Sequence, residues 1–233
     1  MTENFSVTAI CVKSIDYKEN DKLLTLCSAE RGKLTALARG AKKAAAKLKY
    51  AAQPFTFGEY TLTGKGRYII DCKQIESFSS ILNSLDSYYS GCCVLEILMK
   101  TCAEDTPSPE LVVGAAKALS RLSGGDNPHE TLKDYMLFTL AESGYKFDFN
   151  ICAACGALID KEAYFSASEG VLCPHCKGLF PKKIPSDALF VLKGGSGAGD
   201  VMLKGANIFL SELLNELIGI KINSLNFYGE LTV

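Results

Sequence analysis

Four of the ten cysteines fall in two short pairs, Cys152-Ala153-Ala154-Cys155 and Cys173-Pro174-His175-Cys176, with seventeen residues between the pairs. Each C-x2-C turn aims two thiolates at one point. Two such turns at this separation make the four-coordinate sulfur cage that a structural Zn²⁺ takes up with no open position. The spacing therefore predicts one zinc ion per chain, held by Cys152, Cys155, Cys173 and Cys176. Cys-Pro-His-Cys alone also matches strongly oxidising thiol oxidoreductases, but that chemistry wants a strand before the motif, a helix after it and an exported chain. A second pair waiting at zinc distance favours the metal. His175 is available as a substitute ligand, yet four thiolates already complete the tetrahedron. The other six cysteines sit in apolar surroundings and read as small buried hydrophobes.

A second group of residues suits a different chemistry. Between Arg31 and Lys49 the chain carries Arg31, Lys33, Arg39, Lys42, Lys43, Lys47 and Lys49, and no acidic residue occurs between Glu30 and Glu59. Such a run is often only a solvated face. Here Tyr50, Phe55, Phe57 and Tyr60 follow it, and a basic groove with stacking rings is how single-stranded nucleic acid is held without reading sequence. Phe55 and Phe57 alternate along an expected strand and read as core. The whole 233-residue chain has a net charge of −1, which hides a split. Residues 1–80 hold 13 basic against 8 acidic side chains, whereas residues 81–233 hold 12 against 18. A near-neutral total built from opposed halves leaves the first half free to face phosphates.

The elements that must position these groups can be read from hydrophobic periodicity. Phe5–Lys13, Leu23–Ala29, Leu34–Arg39, Phe55–Thr63 and Arg67–Ile75 read as five short strands. Glu30-Arg31-Gly32-Lys33 and Gly64-Lys65-Gly66 provide tight hairpins, because glycine accepts positive φ. Five strands with a long excursion after the third predict an OB-type barrel over residues 1–78, although strand count alone does not separate it from an SH3-like barrel. From Ser79 the period becomes helical, with one stripe to Thr106-Pro107, a helix from Ser108-Pro109 to Leu122 and another from Asn127-Pro128 to Ser143-Gly144. Helical pattern resumes at Ser186–Leu192 and Gly205–Ile218. The expected second domain, residues 79–233, is thus helical and carries a zinc-ribbon-like insert at about 150–180, with a small hairpin from Ala163–Ser166 to Gly170–Leu172.

Composition narrows the function classes. With 48% hydrophobic and 22% charged residues, the chain is neither disordered nor collagen-like. No export signal opens it and no apolar run is long enough to cross a membrane, so a cytoplasmic location is expected. The glycine-rich stretch Gly194–Gly199 lacks the Lys-Ser/Thr of a phosphate-binding loop, and neither a metalloprotease nor a serine-hydrolase motif occurs. These residues point to a binding protein rather than an enzyme. The alternatives are an RNA-binding or transcription-associated zinc-ribbon module, and a thiol-redox enzyme acting through Cys173 and Cys176.

The segment Tyr17–Phe55 resembles the N-terminal barrel of the RecO family of bacterial recombinational DNA-repair mediators. The likeness rests on a polar turn, a glycine hairpin, then Ala38-Arg39-Gly40-Ala41-Lys42-Lys43 and Gln53-Pro54-Phe55. It is specific over about residues 5–75 and extends by order of parts beyond them, with the far C-terminal segment matching by pattern only. The basic cluster is mostly lysine where many relatives carry arginine, a difference that bears on bidentate phosphate contacts. The resemblance implies binding of single- and double-stranded DNA, annealing of complementary strands, and loading of the RecA recombinase without a nucleotide cofactor. It also implies a nucleoid-associated protein partnered by RecR and by the acidic C-terminal tail of single-stranded-DNA-binding protein. The tail would dock on the helical domain. Family members without the cysteines exist, which implies a structural zinc.

Overall fold

Val7, Ala9 and Cys11 are buried along one stretch, and Leu24 with Leu26, Ala36 with Ala38, and Tyr60 with Leu62 repeat the pattern further on. A buried side chain at every second residue is the signature of strands with one face inward. The computed structural model describes residues 4–179 and 181–228, in two compact units that divide between Pro128 and His129. In the first unit these strands are β1 (Phe5–Tyr17), β2 (Asp21–Ser28), β3 (Gly32–Ala38), β4 (Thr56–Thr63) and β5 (Tyr68–Ser77). They close into a barrel of order β1-β2-β3-β5-β4. β5 lies between β3 and β4, pairing parallel with the former and antiparallel with the latter. This is the Greek-key closure of an OB barrel. A register shift between Cys11 and Lys13 bends β1, so that its first half pairs with β4 and its second half with β2.

The 39–55 excursion is a chain of tight turns whose small residues enter the barrel. Ala41, Leu48, Ala51 and Ala52 join the core formed by the strands. The backbone carbonyls that enter with them find partners. Ser14 Oγ donates to Ala52 O at 2.9 Å, and the buried Tyr60 hydroxyl donates to Ala51 O at 3.0 Å. Replacing Tyr60 with Phe removes the donor and strands a buried carbonyl. A loss of about 1 kcal/mol is expected, read as a lower denaturant midpoint at constant slope. An unchanged midpoint would mean that the excursion is not anchored there.

After a short 3-10 turn at Ser79–Asn83, the unit is completed by α1 (Leu85–Thr101) and α2 (Pro109–Ser123). The Ser84 side chain caps α1 by accepting from Ser87 N–H, and Pro109 occupies the first turn of α2. Gly91 lets α1 approach Phe55 and Ile81, since a Cβ there would lie 2.9 Å from the Phe55 ring. At the β2–β3 hairpin Gly32 adopts φ +64° against the α1–α2 connection, where Lys33 N–H donates to Ala103 O at 2.8 Å and Ser108 N–H to Ala29 O at 2.9 Å.

The second unit comprises α3 (Pro128–Glu142), a small sheet of β6 (Tyr164–Ser166), β7 (Gly170–Leu172) and β8 (Lys182–Lys183), then α4 (Ser186–Leu192) and α5 (Asp200–Ile218). α5 begins five residues before the expected Gly205, because Asp200 and Val201 open the helix directly after the glycine-rich turn. Gly219, in the left-handed conformation at φ +72°, ends it. The buried rings of Phe165 on β6 and Phe209 on α5 meet edge to face at 6.4 Å, joining the sheet to the helices. No described helix is long and apolar enough to cross a membrane.

Candidate metal centre and nucleic-acid interface

Each cysteine pair sits in a turn pinned by backbone hydrogen bonds. At the first, Cys152 N–H donates to Ala157 O and Gly156 N–H returns to Cys152 O, both at 2.9 Å, with Gly156 at φ +72°. At the second, Cys176 N–H donates to Cys173 O at 3.1 Å. The β6–β7 hairpin holds the turns together, through Ala153 N–H to Val171 O at 2.8 Å. As a result all four Sγ atoms lie within 4.8 Å of one another. Cys155 and Cys173 Sγ are 3.8 Å apart. Zn–S bonds of about 2.3 Å in a tetrahedron require sulfurs about 3.8 Å apart, so the donor set fits the ion.

Two of the thiols are shifted by their neighbours. Burial opposes a thiolate at Cys152, yet backbone N–H groups of Cys173, Cys155 and Ala154 hold its thiol down at about 6. Hydrogen bonds from Cys155 and Cys173 push Cys176 up to about 12. The turn ends at Cys176, β8 follows at Lys182–Lys183, and among the described residues the next helix begins at Ser186. Among the described residues no helix directly follows the motif to acidify an oxidoreductase thiol.

Of the remaining cysteines, Cys11, Cys27, Cys93 and Cys102 are buried, and Cys72 and Cys92 are half-buried. Burial pushes the Cys11 thiol up to about 12 and the Cys93 thiol upward as well, away from reactivity at neutral pH. Cys27 on β2 and Cys102 at the end of α1 share a hydrogen bond that raises the former and lowers the latter to about 7, with both side chains buried.

The basic residues do not form one uniform strip. Arg31 and Lys33 flank the hairpin at the start of β3, and Arg39 follows its end, about 23 Å of extended chain away. Arg31 lays its guanidinium over the Phe5 ring at 3.9 Å, and Arg39 over Tyr68 at 4.2 Å. Lys42, Lys43, Lys47 and Lys49 lie exposed on the excursion. Two of them are ion-paired: Lys42 with Asp16 at 2.8 Å and Lys47 with Asp71 at 3.0 Å. Those hydrogen bonds hold both carboxyls below the usual carboxylate range. Of the four aromatics downstream, Tyr50 is 73% exposed and stands beside Lys49, whereas Phe55 and Tyr60 are buried and Phe57 is half-buried. Lys65 and Arg67, on the β4–β5 turn, are exposed as well. Their isolation within Gly64–Arg67 kept them outside the run that the sequence made conspicuous.

Comparison with known proteins is consistent along the chain. The family model described as "Recombination protein O N terminal" matches residues 1–81, and "Recombination protein O C terminal" matches residues 82–188. A protein named DNA repair protein RecO from Clostridium novyi is 36% identical over 193 residues, covering 81% of this chain and 75% of that one. The protein of the same name from Desulforamulus reducens is 33% identical over 177 residues, with 74% and 68% covered. One from Bacillus pumilus is 31% identical over 182 residues, with 76% and 70% covered.

Proposed function

This chain belongs to the RecO family of DNA repair proteins, and from that premise we propose that it is a recombination mediator that binds DNA strands and anneals complementary ones. The observation that carries the reading is a closed OB barrel whose 31–58 stretch bears exposed cations and no acid. Annealing brings two polyanions together. A surface dense in fixed cations lowers that repulsion and releases the counterions condensed on each strand. Arg31, Lys33, Arg39, Lys42, Lys43, Lys47 and Lys49 form the binding set on the 1–78 domain, and the 79–233 domain serves docking. RecR and the acidic tail of single-stranded-DNA-binding protein are the partners, with RecA loading as the outcome. The protein works by binding, without a nucleotide. Cys152, Cys155, Cys173 and Cys176 would hold one structural zinc ion, whose contribution is to tie the two turns to the β6–β7 hairpin.

The test is annealing of two complementary oligonucleotides coated with single-stranded-DNA-binding protein, with and without this chain, and single-strand binding across a salt series. Acceleration of annealing is expected. Reversing Lys42, Lys43 and Lys47 together to Glu should abolish it and flatten the salt slope by about 0.7 per lost phosphate contact. Normal annealing by that variant, with an unchanged slope, would remove this surface from the function. Preference for RNA of equal length at fixed salt would replace DNA repair with RNA binding.

A further inference from the structure

Lys42 and Lys47 are already neutralised by carboxylates, whereas the β4–β5 turn carries cations that have no acidic partner among the described residues. This turn, Gly64-Lys65-Gly66-Arg67, is built to approach two aromatic rings closely. Both glycines have positive φ; a Cβ on Gly64 would lie 2.9 Å from the Tyr68 ring, and one on Gly66 would lie 3.4 Å from Phe5. Those are the rings that carry Arg39 and Arg31. Each guanidinium is therefore one ring away from a glycine of the turn. The acid nearest in sequence to Arg31 is Glu30, whose carboxylate is engaged by Thr8 N–H and the Ser28 hydroxyl.

We infer that the β4–β5 turn adds a phosphate grip to the basic set of the barrel: Lys65 and Arg67 contact the backbone of single-stranded DNA together with the ring-mounted Arg31 and Arg39. The inference rests on the DNA-binding reading above and locates its contacts. A guanidinium laid flat on a ring keeps its outward N–H edge for phosphate and has already lost much of the side-chain freedom that binding would otherwise cost.

Binding of a fluorescent oligo-dT across a salt series separates the possibilities. Lys65→Gln/Arg67→Gln should weaken binding roughly tenfold at moderate salt and flatten the log–log slope by about 1.4. Lys65→Arg/Arg67→Lys should restore the slope. Lys13→Gln/Lys73→Gln, which takes the same charge from exposed strand positions outside the binding set, should leave the slope unchanged. The Lys65 and Arg67 side chains are exposed, and Arg67 enters the barrel's hydrogen bonding only through its backbone, accepting from Leu37 N–H. The turn variant should therefore melt like the parent. A parent that binds and a turn variant with an unaltered slope would overturn this assignment while leaving the proposed function standing. A parent that fails to bind DNA would overturn both. Tighter binding of single-stranded RNA by the parent, lost in the turn variant, would overturn DNA as the occupant.

Discussion

Protein with Cys152→Ser and Cys173→Ser together will carry no stoichiometric zinc, and its second unit will melt well below that of the parent. Structural zinc sites contribute on the order of 10 kcal/mol in small modules. Here the β6–β7 hairpin has only three residues in each strand and no large core of its own. What holds it are the two cysteine turns and an aromatic chain, Phe147 edge-on to Phe165 at 5.3 Å and Phe165 edge-on to Phe209 at 6.4 Å. Once the turns loosen, the Phe165 ring loses its fixed position against α5 and the loss spreads beyond the module. For a unit of roughly 100 residues, each kcal/mol shifts the melting temperature about 4–8 °C, so a fall above about 10 °C is expected. A chelator should reproduce it, as should acid, because protons compete for all four thiolates and stability is lost as pH falls. Binding to oligo-dT per folded molecule should stay within about threefold, since the cations lie in the other unit. One zinc per parent chain together with unchanged melting of the metal-free variant would rule out a structural role.

Gly32→Ala should be the most damaging single substitution in the first unit. The residue is at φ +64°, which costs an L-amino acid about 1–2 kcal/mol. In addition, a Cβ there would fall well inside 3.0 Å of Ala103 O and Thr106 O, backbone atoms of the α1–α2 connection with no flexible end to swing away. Either the hairpin or the connection must move. The first would break the Lys33 N–H to Ala103 O bond, and the second would disturb the start of α2 at Pro109. A destabilisation above about 4 kcal/mol is expected, outside the range of ordinary substitutions. Gly40→Ala is the matched control. Its φ is +66°, but the nearest atoms to its Cβ belong to the flexible Lys43 side chain at 3.8 Å. It should cost only the backbone term of about 1–2 kcal/mol. Equal midpoints for the two variants in urea would show that the contact with the α1–α2 connection carries no weight.

Alternation made the barrel strands readable from sequence, and glycine made their hairpins readable, because both are local properties. The four-cysteine group was legible for the same reason: its thiols come in two pairs whose internal spacing already fixes a turn. The choice between OB-type and SH3-like barrels waited for the structure. It depends on β5 entering between β3 and β4, a pairing of Leu37 with Tyr68 that no local pattern announces. The basic run was legible as charge but not as surface. Nothing near Lys42 in sequence says that Asp16 will neutralise it, nor that Lys47 will meet Asp71. The arginine-bearing rings escaped notice for the converse reason, since Phe5 and Arg31 are 26 residues apart and only strand pairing brings them together. The early start of α5 was hidden by the glycines before it, which ended one element and were read as delaying the next.

The β3–β5 closure joins residues 31 positions apart through two registered pairs, Leu37 with Tyr68 and Ala38 with Ile69, whereas β1 and β2 share eight. Closing so long a loop for so few bonds is entropically costly, so this side of the barrel forms after the hairpins and opens before them. Amide exchange at Leu37 and Ile69 should therefore proceed by local opening, at a rate set by the seam rather than by global unfolding. The β4–β5 turn hangs from that seam through Leu37 N–H and Arg67 O. Its cations are thus carried on the most easily detached edge of an otherwise continuous sheet, free to follow a flexible strand on timescales at which the rest of the barrel stays shut.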